Sequence, residues 1–153
     1  MLKFFTGSSI HKVDAKGRVS LPADFRKVLE GLGSNHIVIL PRMYQPEAHV
    51  GLSQAGYEKV IEQFESMDLS HADTEALSLR IVADARQIPV DDAGRIVLSK
   101  DLRDQIGIDG EACFVGGGSS FQIWEPGARG AHDSALQSRS HELAPAIRLK
   151  GLH

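Results

Sequence analysis

The chain has 153 residues, 42% of them apolar, which is enough for one compact domain or for two small repeats that share a core. Its single cysteine, Cys113, excludes an intramolecular disulfide, and no apolar run approaches the length of a membrane span. A formal net charge of −3 gives no overall attraction to nucleic acid, so a function of that kind depends on how the charges are distributed.

The charges are distributed unevenly along the chain. Residues 1–30 carry six basic and three acidic side chains, a net charge of +3, whereas residues 45–77 carry one basic and seven acidic side chains, a net charge of −6. This segregation predicts a basic working face and an acidic far side in the folded protein.

The first predicted element is a strand, a tight turn over residues 14–18, and a second strand. Apolar and polar residues alternate before the turn, at Val13, and after it, over 19–21, which is typical of strands. Asp14 is suited to accept hydrogen bonds from the backbone that follows it, and Gly17 adopts a positive φ without strain. Both residues are therefore predicted to build the turn.

A short helix is predicted directly after these strands. Pro22 suits a first helical position, apolar residues follow at the spacing i, i+3 and i+4, and Gly31 ends the run. Arg26 and Lys27 lie outside the apolar stripe, so their charged groups are predicted to face water or a partner.

Two strands and two amphipathic helices are predicted next. Residues 37–40 and 50–52 have the composition of strands. Over 57–64 the apolar residues recur at i, i+3, i+4 and i+7, which predicts a helix, and Ser70 is the N-cap of a second helix that carries Ile81. The apolar faces of both helices are expected to pack on a core or on another subunit.

The turn and the helix are then repeated. Residues 13–26 and 90–103 are identical at seven of fourteen positions, at a constant offset of 77. Conservative exchanges at the other apolar positions keep the same pattern. Asp91 and Gly94 are therefore predicted to build a second turn of the same shape.

The second repeat continues with the same element order as the first. Ser99 is a good N-cap for a helix that Gly107 ends, and strands follow over 112–115 and 121–124. The glycine-rich segment 116–120 lacks the Lys-Ser/Thr pair of a phosphate loop, so a hairpin turn is predicted there.

Two arginines, Arg18 and Arg95, directly follow the turn glycines. A guanidinium group on a fixed scaffold binds phosphate by charge and guanine by its bidentate fork, which makes both arginines candidates for DNA contacts. The alternative is that they only form structural ion pairs with the turn aspartates, and the spacing leaves both interpretations open. Further bases are predicted to cluster around the first turn: Lys12, Lys16, Arg26 and Lys27.

Signals for an enzyme are weak. The seven histidines and the one cysteine show no metal-site spacing, and the sequence contains no nucleophile elbow, Walker motif or dinucleotide fingerprint. No catalytic residue, metal ligand, cofactor or small-molecule substrate is therefore predicted.

The paired motif resembles a known family. The order strand, Val-Asp-x-x-Gly-Arg, strand, Pro-x-x-hydrophobe-Arg is similar to the AbrB/SpoVT-type swapped-hairpin DNA-binding half-domain. Two copies preceded by Phe-x-Gly at residues 5–7 resemble the MraZ family of bacterial regulators, and the likeness extends from Phe5 to Trp124.

The resemblance implies an α+β fold in which two tandem AbrB/MraZ-like β-hairpin-helix repeats form one pseudo-twofold β-barrel, with amphipathic helices between them. The first repeat spans 5–55, the helical connection 56–84 and the second repeat 85–127. Residues 128–153 have weak periodicity and are predicted to form a mobile C-terminal tail.

The same resemblance implies a cytoplasmic, nucleoid-associated transcriptional regulator. It is expected to bind double-stranded DNA as a ring-shaped homo-oligomer, at direct repeats upstream of its own division and cell-wall gene cluster. The implied DNA-binding residues are Arg18, Lys12, Arg26, Lys27, Arg95 and Arg103, and the clustering of bases around the first turn adds Lys16.

The second copy departs from the pattern because it has fewer bases, with Asp92, Ala93 and Asp104 in place of Ala15, Lys16 and Lys27. The first turn is therefore predicted to contribute more of the DNA affinity. Three alternatives stay open: an antitoxin-like DNA-binding module whose tail holds a protein partner, a non-enzymatic assembly protein, and an uncharacterised hydrolase.

Overall fold

The computed structural model describes residues 1–151, and Leu152 and His153, the end of the predicted tail, lie outside the described residues. The described residues form a mixed α+β fold, as the sequence predicts, with the following elements: β1 (Ser8–Lys12), β2 (Arg18–Ser20), α1 (Ala23–Gly31), β3 (His36–Leu40), β4 (Ala48–Leu52), α2 (Gln54–Ser66), α3 (His71–Ser78), β5 (Arg86–Pro89), β6 (Arg95–Val97), α4 (Lys100–Ile106), β7 (Glu111–Gly116), β8 (Phe121–Trp124) and α5 (Pro126–Leu143). A π-helical turn at Leu79–Ala83 extends α3, and a 3-10 turn at Ala144–Ala146 follows α5.

The strands form two antiparallel sheets. The larger has six strands in the order β1-β7-β8-β4-β3-β5, and the smaller is a two-stranded ribbon of β2 and β6. The six-stranded order is unchanged when each strand is exchanged for its counterpart in the other repeat, which is what an approximate twofold axis requires. Neither sheet of the described residues closes on itself, so the β-barrel stays a prediction.

The strands on either side of each turn pair with the other repeat. β1 pairs with β7 and β5 pairs with β3, while β2 and β6 pair with each other. This exchange makes the two repeats one folding unit. The alternation of apolar residues could not reveal it, because a period of two fixes which face of a strand is buried and not which strand lies beside it.

The central core lies between the ribbon, helices α1 and α4, and one face of the large sheet. It combines residues of both repeats: Val19, Leu21, Phe25, Ile96, Leu98, Leu102, Phe114 and Phe121 are all buried there. On the other face of the sheet, α2 covers β3 and β4, and the start of α5 covers β7 and β8. Successive side chains of a strand point to opposite faces, so the continuous apolar runs of β3 and β7 supply both layers.

The predicted caps of the short helices are confirmed. The Ser99 hydroxyl accepts a hydrogen bond from the backbone N–H of Leu102, and Gly107 ends α4 in the left-handed conformation with φ 72°. The Ser70 hydroxyl accepts from the N–H of Asp73 at 3.1 Å and begins α3. The residue Ile81, predicted on the same helix, lies buried in the π-helical turn that follows.

The C-terminal segment forms a helix that the weak periodicity did not predict. The Glu125 carboxylate caps α5 by accepting from the backbone N–H groups of Gly127 and Ala128, and Pro126 occupies the first turn. The Arg129 guanidinium lies 5.3 Å from the centre of the Trp124 ring, and the His132 ring lies 4.7 Å from the same ring at a tilt of 34°. Residues 133–151 are all exposed, and their mobility stays a prediction. No helix within residues 1–151 is both long and apolar enough to cross a membrane.

Candidate nucleic-acid interface

The first turn is held by one carboxylate. One oxygen of Asp14 accepts hydrogen bonds from the backbone N–H groups of Lys16 and Arg18, both at 2.9 Å. Its other oxygen accepts from Nε of Arg18 at 2.7 Å. The turn is closed by the N–H of Gly17, which donates to the carbonyl of Asp14 at 2.9 Å, with Gly17 at φ 87°.

The second turn repeats this geometry at the offset of 77. The Asp91 carboxylate accepts from the backbone N–H groups of Ala93 at 2.9 Å and Arg95 at 2.8 Å, and from Nε of Arg95 at 3.1 Å. Gly94 donates to the carbonyl of Asp91 at 2.9 Å and has φ 77°. The aspartate, glycine and arginine of the two turns therefore make the same contacts with one another.

Both turn aspartates are stabilised as anions. The backbone N–H of Arg18, followed by its guanidinium, lowers the pKa of Asp14 below the ordinary value of 3.8. The pKa of Asp91 is lowered in the same way, first by the backbone N–H of Arg95. Both carboxylates are thus ionised at neutral pH and orient their arginines.

The ion pair leaves most of each guanidinium available. Arg18 and Arg95 contact their aspartates through Nε, and within residues 1–151 no protein acceptor binds their terminal nitrogens. Each arginine side chain is 45% exposed. Structural pairing and DNA contact are therefore compatible, because the aspartate holds the base of the fork while the two terminal groups stay free to donate.

The ribbon places both arginines on one exposed face. Arg18 lies opposite Val97, and Ser20 lies opposite Arg95, whereas Val19 and Ile96 form the central pair and are each 1% exposed. Because Arg18 and Arg95 are diagonal neighbours across two paired strands, their side chains leave the ribbon about 7–8 Å apart.

The arginines at the helix starts lie against the opposite turns. Nη1 of Arg26 donates to the carbonyl of Ala93 in the second turn at 3.0 Å. Nε of Arg103 donates to the carbonyl of Leu98 at 3.0 Å, beside Gly17 of the first turn. Arg26, whose charged group was predicted to face water or a partner, is half-buried and bound to a backbone carbonyl, and Arg103 is placed in the same way.

This exchange also corrects the predicted charge cluster. Arg26 lies at the second turn and not at the first, because β2 pairs with β6 and brings the start of α1 beside Gly94. Lys12, Lys16 and Lys27 are exposed. The first turn keeps Lys16 and gains Arg103, while the second turn, which has few bases of its own, gains Arg26.

The comparisons with known proteins point to one family. A family model described as "MraZ protein, putative antitoxin-like" matches residues 81–129. A protein of Parvibaculum lavamentivorans named "Transcriptional regulator MraZ" is 34% identical over 135 residues, which span 88% of this chain and 84% of that protein. Proteins of the same name from Gluconobacter oxydans and Rickettsia rickettsii are each 32% identical, over 149 and 148 residues; both alignments span 96% of this chain, and 91% and 98% of those proteins.

The chain belongs to the MraZ family. The resemblance drawn from the paired motif is thereby confirmed. MraZ is a family of transcriptional regulators and not of enzymes. Within residues 1–151 no three His, Cys, Asp or Glu side chains lie close enough together to hold a metal ion.

One histidine of this MraZ chain, His49, has a structural role that the sequence did not predict. Nε2 of the fully buried His49 lies 2.7 Å from the carbonyl of Leu102, and its Nδ1 accepts from the backbone N–H of Arg42 at 3.3 Å. These partners require a neutral ring with the proton on Nε2, and burial lowers the pKa of His49 below the ordinary 6.5. His49 thus joins β4 of the first repeat to α4 of the second, and its only sequence signal is its place in the apolar run of β4.

Proposed function

We propose that this chain is a sequence-specific DNA-binding transcriptional regulator. The observation that carries the proposal is the pair of aspartate-held arginines, Arg18 and Arg95, on one exposed face of the ribbon. Preorganised guanidinium groups lose little entropy on binding and are matched to phosphate and to the edge of guanine. The names of the relatives, all transcriptional regulators, support the same function.

The proposal assigns different tasks to the basic residues. Arg18 and Arg95 contact bases, whereas the exposed Lys12, Lys16 and Lys27 contact phosphates and contribute affinity without sequence preference. Arg26 and Arg103 support the turns and approach the DNA backbone from the sides. In this scheme the repeats over 5–55 and 85–127 act as one pseudo-twofold unit.

Assembly compensates for weak single contacts. A net charge of −3 gives the chain little long-range attraction to DNA. A ring of subunits on direct repeats upstream of the chain's own division and cell-wall gene cluster raises the effective concentration at each neighbouring repeat. The regulator would act in the cytoplasm, associated with the nucleoid.

The test is fluorescence anisotropy with a duplex of the chain's own upstream DNA, over a range of salt concentrations. Arg18→Ala is expected to cost about 1–3 kcal/mol per contact and to relax base preference at one position. Lys16→Ala is expected to weaken binding to all sequences alike and to reduce the slope of log K against log salt by about 0.9.

Arg139→Ala is the matched control, because this exposed arginine lies on α5 and forms an ion pair with Glu142 on the same helix. It removes the same charge away from the ribbon and should leave DNA affinity nearly unchanged. Wild-type affinity in the double variant Arg18→Ala with Arg95→Ala would refute the proposal.

A further inference from the structure

The exposed face of the ribbon carries one residue that breaks its symmetry. The face consists of Arg18 and Ser20 from β2 and of Arg95 and Val97 from β6. At the offset of 77, Arg18 corresponds to Arg95, whereas Ser20 corresponds to Val97. The two arginines are thus equivalent, and the small residues beside them differ in polarity.

Val97 is an isolated apolar group in a charged surface. Its side chain is 51% exposed, and it lies directly opposite Arg18 across the ribbon. The arginines on the same face make this surface a poor packing site for a second copy of itself, since like charges would meet. All four side chains are matched by a partner that accepts hydrogen bonds from guanidinium groups and also presents a methyl group.

The dimensions of the ribbon match the major groove of B-DNA. Each strand contributes three residues, about 10 Å of length, and the strands lie about 4.8 Å apart. The groove is about 12 Å wide and admits a two-stranded ribbon. The separation of about 7–8 Å between the arginines corresponds to about two base-pair steps.

We propose that the ribbon enters the major groove with Val97 as a specificity residue. Arg18 and Arg95 bind two guanines, and the Val97 side chain contacts the C5-methyl group of a thymine next to the guanine of Arg18. Thymine is the one base that presents a methyl group in this groove. Ser20 occupies the equivalent place beside Arg95. Its hydroxyl group forms hydrogen bonds with the polar edge of a base, so it does not select for a thymine methyl group.

This difference gives the DNA site a direction. A ribbon with exact twofold symmetry would read both orientations of a site equally well, whereas direct repeats require each subunit to bind in one orientation. The Ser20/Val97 difference distinguishes the two ends of the ribbon. The inference rests on the proposed function, because it assumes that this face binds duplex DNA.

The experiment begins with selection of bound duplexes from a randomised library by the full-length wild-type chain. The selected site is then titrated with each thymine replaced in turn by deoxyuridine, which lacks only the methyl group. One replacement is expected to weaken binding by about fourfold, the contribution of one buried methyl group. The variant Val97→Ser should bind the thymine and deoxyuridine forms of the site equally.

The exchange variant, Ser20→Val with Val97→Ser, provides the matched control. It keeps the composition of the ribbon. The preference for thymine over deoxyuridine should move from the position next to the guanine of Arg18 to the position next to the guanine of Arg95. Thermal unfolding of each variant checks that the exposed substitutions leave the fold intact.

Three outcomes separate this inference from the proposed function. If Arg18→Ala removes a guanine preference while wild type is indifferent to every deoxyuridine, the chain reads DNA but Val97 has no such role. Equal weakening of both forms of the site by Val97→Ser would also overturn the inference. If no duplex is enriched and Arg18→Ala changes nothing, the proposed function itself fails.

Discussion

The two turn glycines occupy equivalent positions but have different surroundings, which allows a paired test of the turn. A Cβ atom added at Gly17 would overlap the backbone carbonyl oxygen of Leu98, the residue that follows β6, and this oxygen also accepts from Arg103. A Cβ atom added at Gly94 would overlap the side chain of Arg26, which is flexible. Gly17→Ala should therefore destabilise the protein more than Gly94→Ala.

The magnitude follows from two contributions. Both glycines have positive φ, 87° and 77°, where an alanine costs about 1–2 kcal/mol. At Gly17 the backbone of Leu98 must also shift and weaken its hydrogen bond with a charged donor, which contributes about 1.5–3 kcal/mol. At Gly94 the side chain of Arg26 must move and give up its hydrogen bond to the carbonyl of Ala93, but this carbonyl is exposed and water can replace the lost donor, so the added cost is small. We expect losses of about 3 kcal/mol for Gly17→Ala and about 1.5 kcal/mol for Gly94→Ala.

The assay is thermal unfolding followed by circular dichroism, with urea unfolding as a second measurement. For a chain of this size each kcal/mol lowers Tm by about 2–4 °C, so the expected decreases are about 9 °C for Gly17→Ala and about 4 °C for Gly94→Ala. Equal decreases would refute the reasoning, because they would show that the conformation of the glycine determines the cost and the contact with Leu98 does not. A larger effect at Gly94 would refute it as well.

Three further predictions concern single side chains. Because burial lowers the pKa of His49 in the folded state, the contribution of this residue to stability should be complete above pH 6.5. The free energy of unfolding should fall as the pH drops below 6.5, by at most about 1.4 kcal/mol per pH unit. Urea unfolding between pH 7.5 and 5 should show this decrease, and His49→Leu should flatten it. Asp14→Ala should weaken DNA binding although every basic residue is kept, because Arg18 loses the carboxylate that orients it. Asp14→Asn keeps one acceptor oxygen and should give an intermediate affinity in the anisotropy assay. Unchanged binding in both variants would contradict the prediction. Burial raises the pKa of the Cys113 thiol, so a thiol reagent should label it slowly in native protein and rapidly in urea. Rapid labelling of the native protein would count against the burial of Cys113.

Much of the local structure could be predicted because its causes are local. The residues that cap α4, Ser99 and Gly107, act within one helix turn, and the turn aspartates bond to backbone groups at most four residues away. Such interactions depend on spacing alone. The helix α5 was missed for the opposite reason, because the ring of Trp124 holds it through Arg129 and His132, and polar side chains of this kind leave little apolar periodicity.

The candidate site shows the same division. Spacing identified the turn arginines but left two roles open. The structure makes those roles compatible, because each aspartate contacts the guanidinium of its arginine at Nε and leaves the terminal nitrogens to other acceptors. Spacing also placed Arg26 at the first turn, where its neighbours in sequence lie, whereas strand exchange brings it to the second. Nothing in the sequence singles out Val97 or His49. An exposed valine differs from a buried one, and a buried histidine from an exposed one, only in its surroundings in the folded protein.

The sequence by itself determined the repeat, the turns and the short helices, because an offset of 77 and a few capping residues are properties of the chain. The tertiary structure decided which strands pair, and through that pairing which basic groups meet. The physical reason is that alternation in a strand encodes a face and not a partner. Only the exchange of strands between the repeats places Arg18, Arg95, Ser20 and Val97 on one surface.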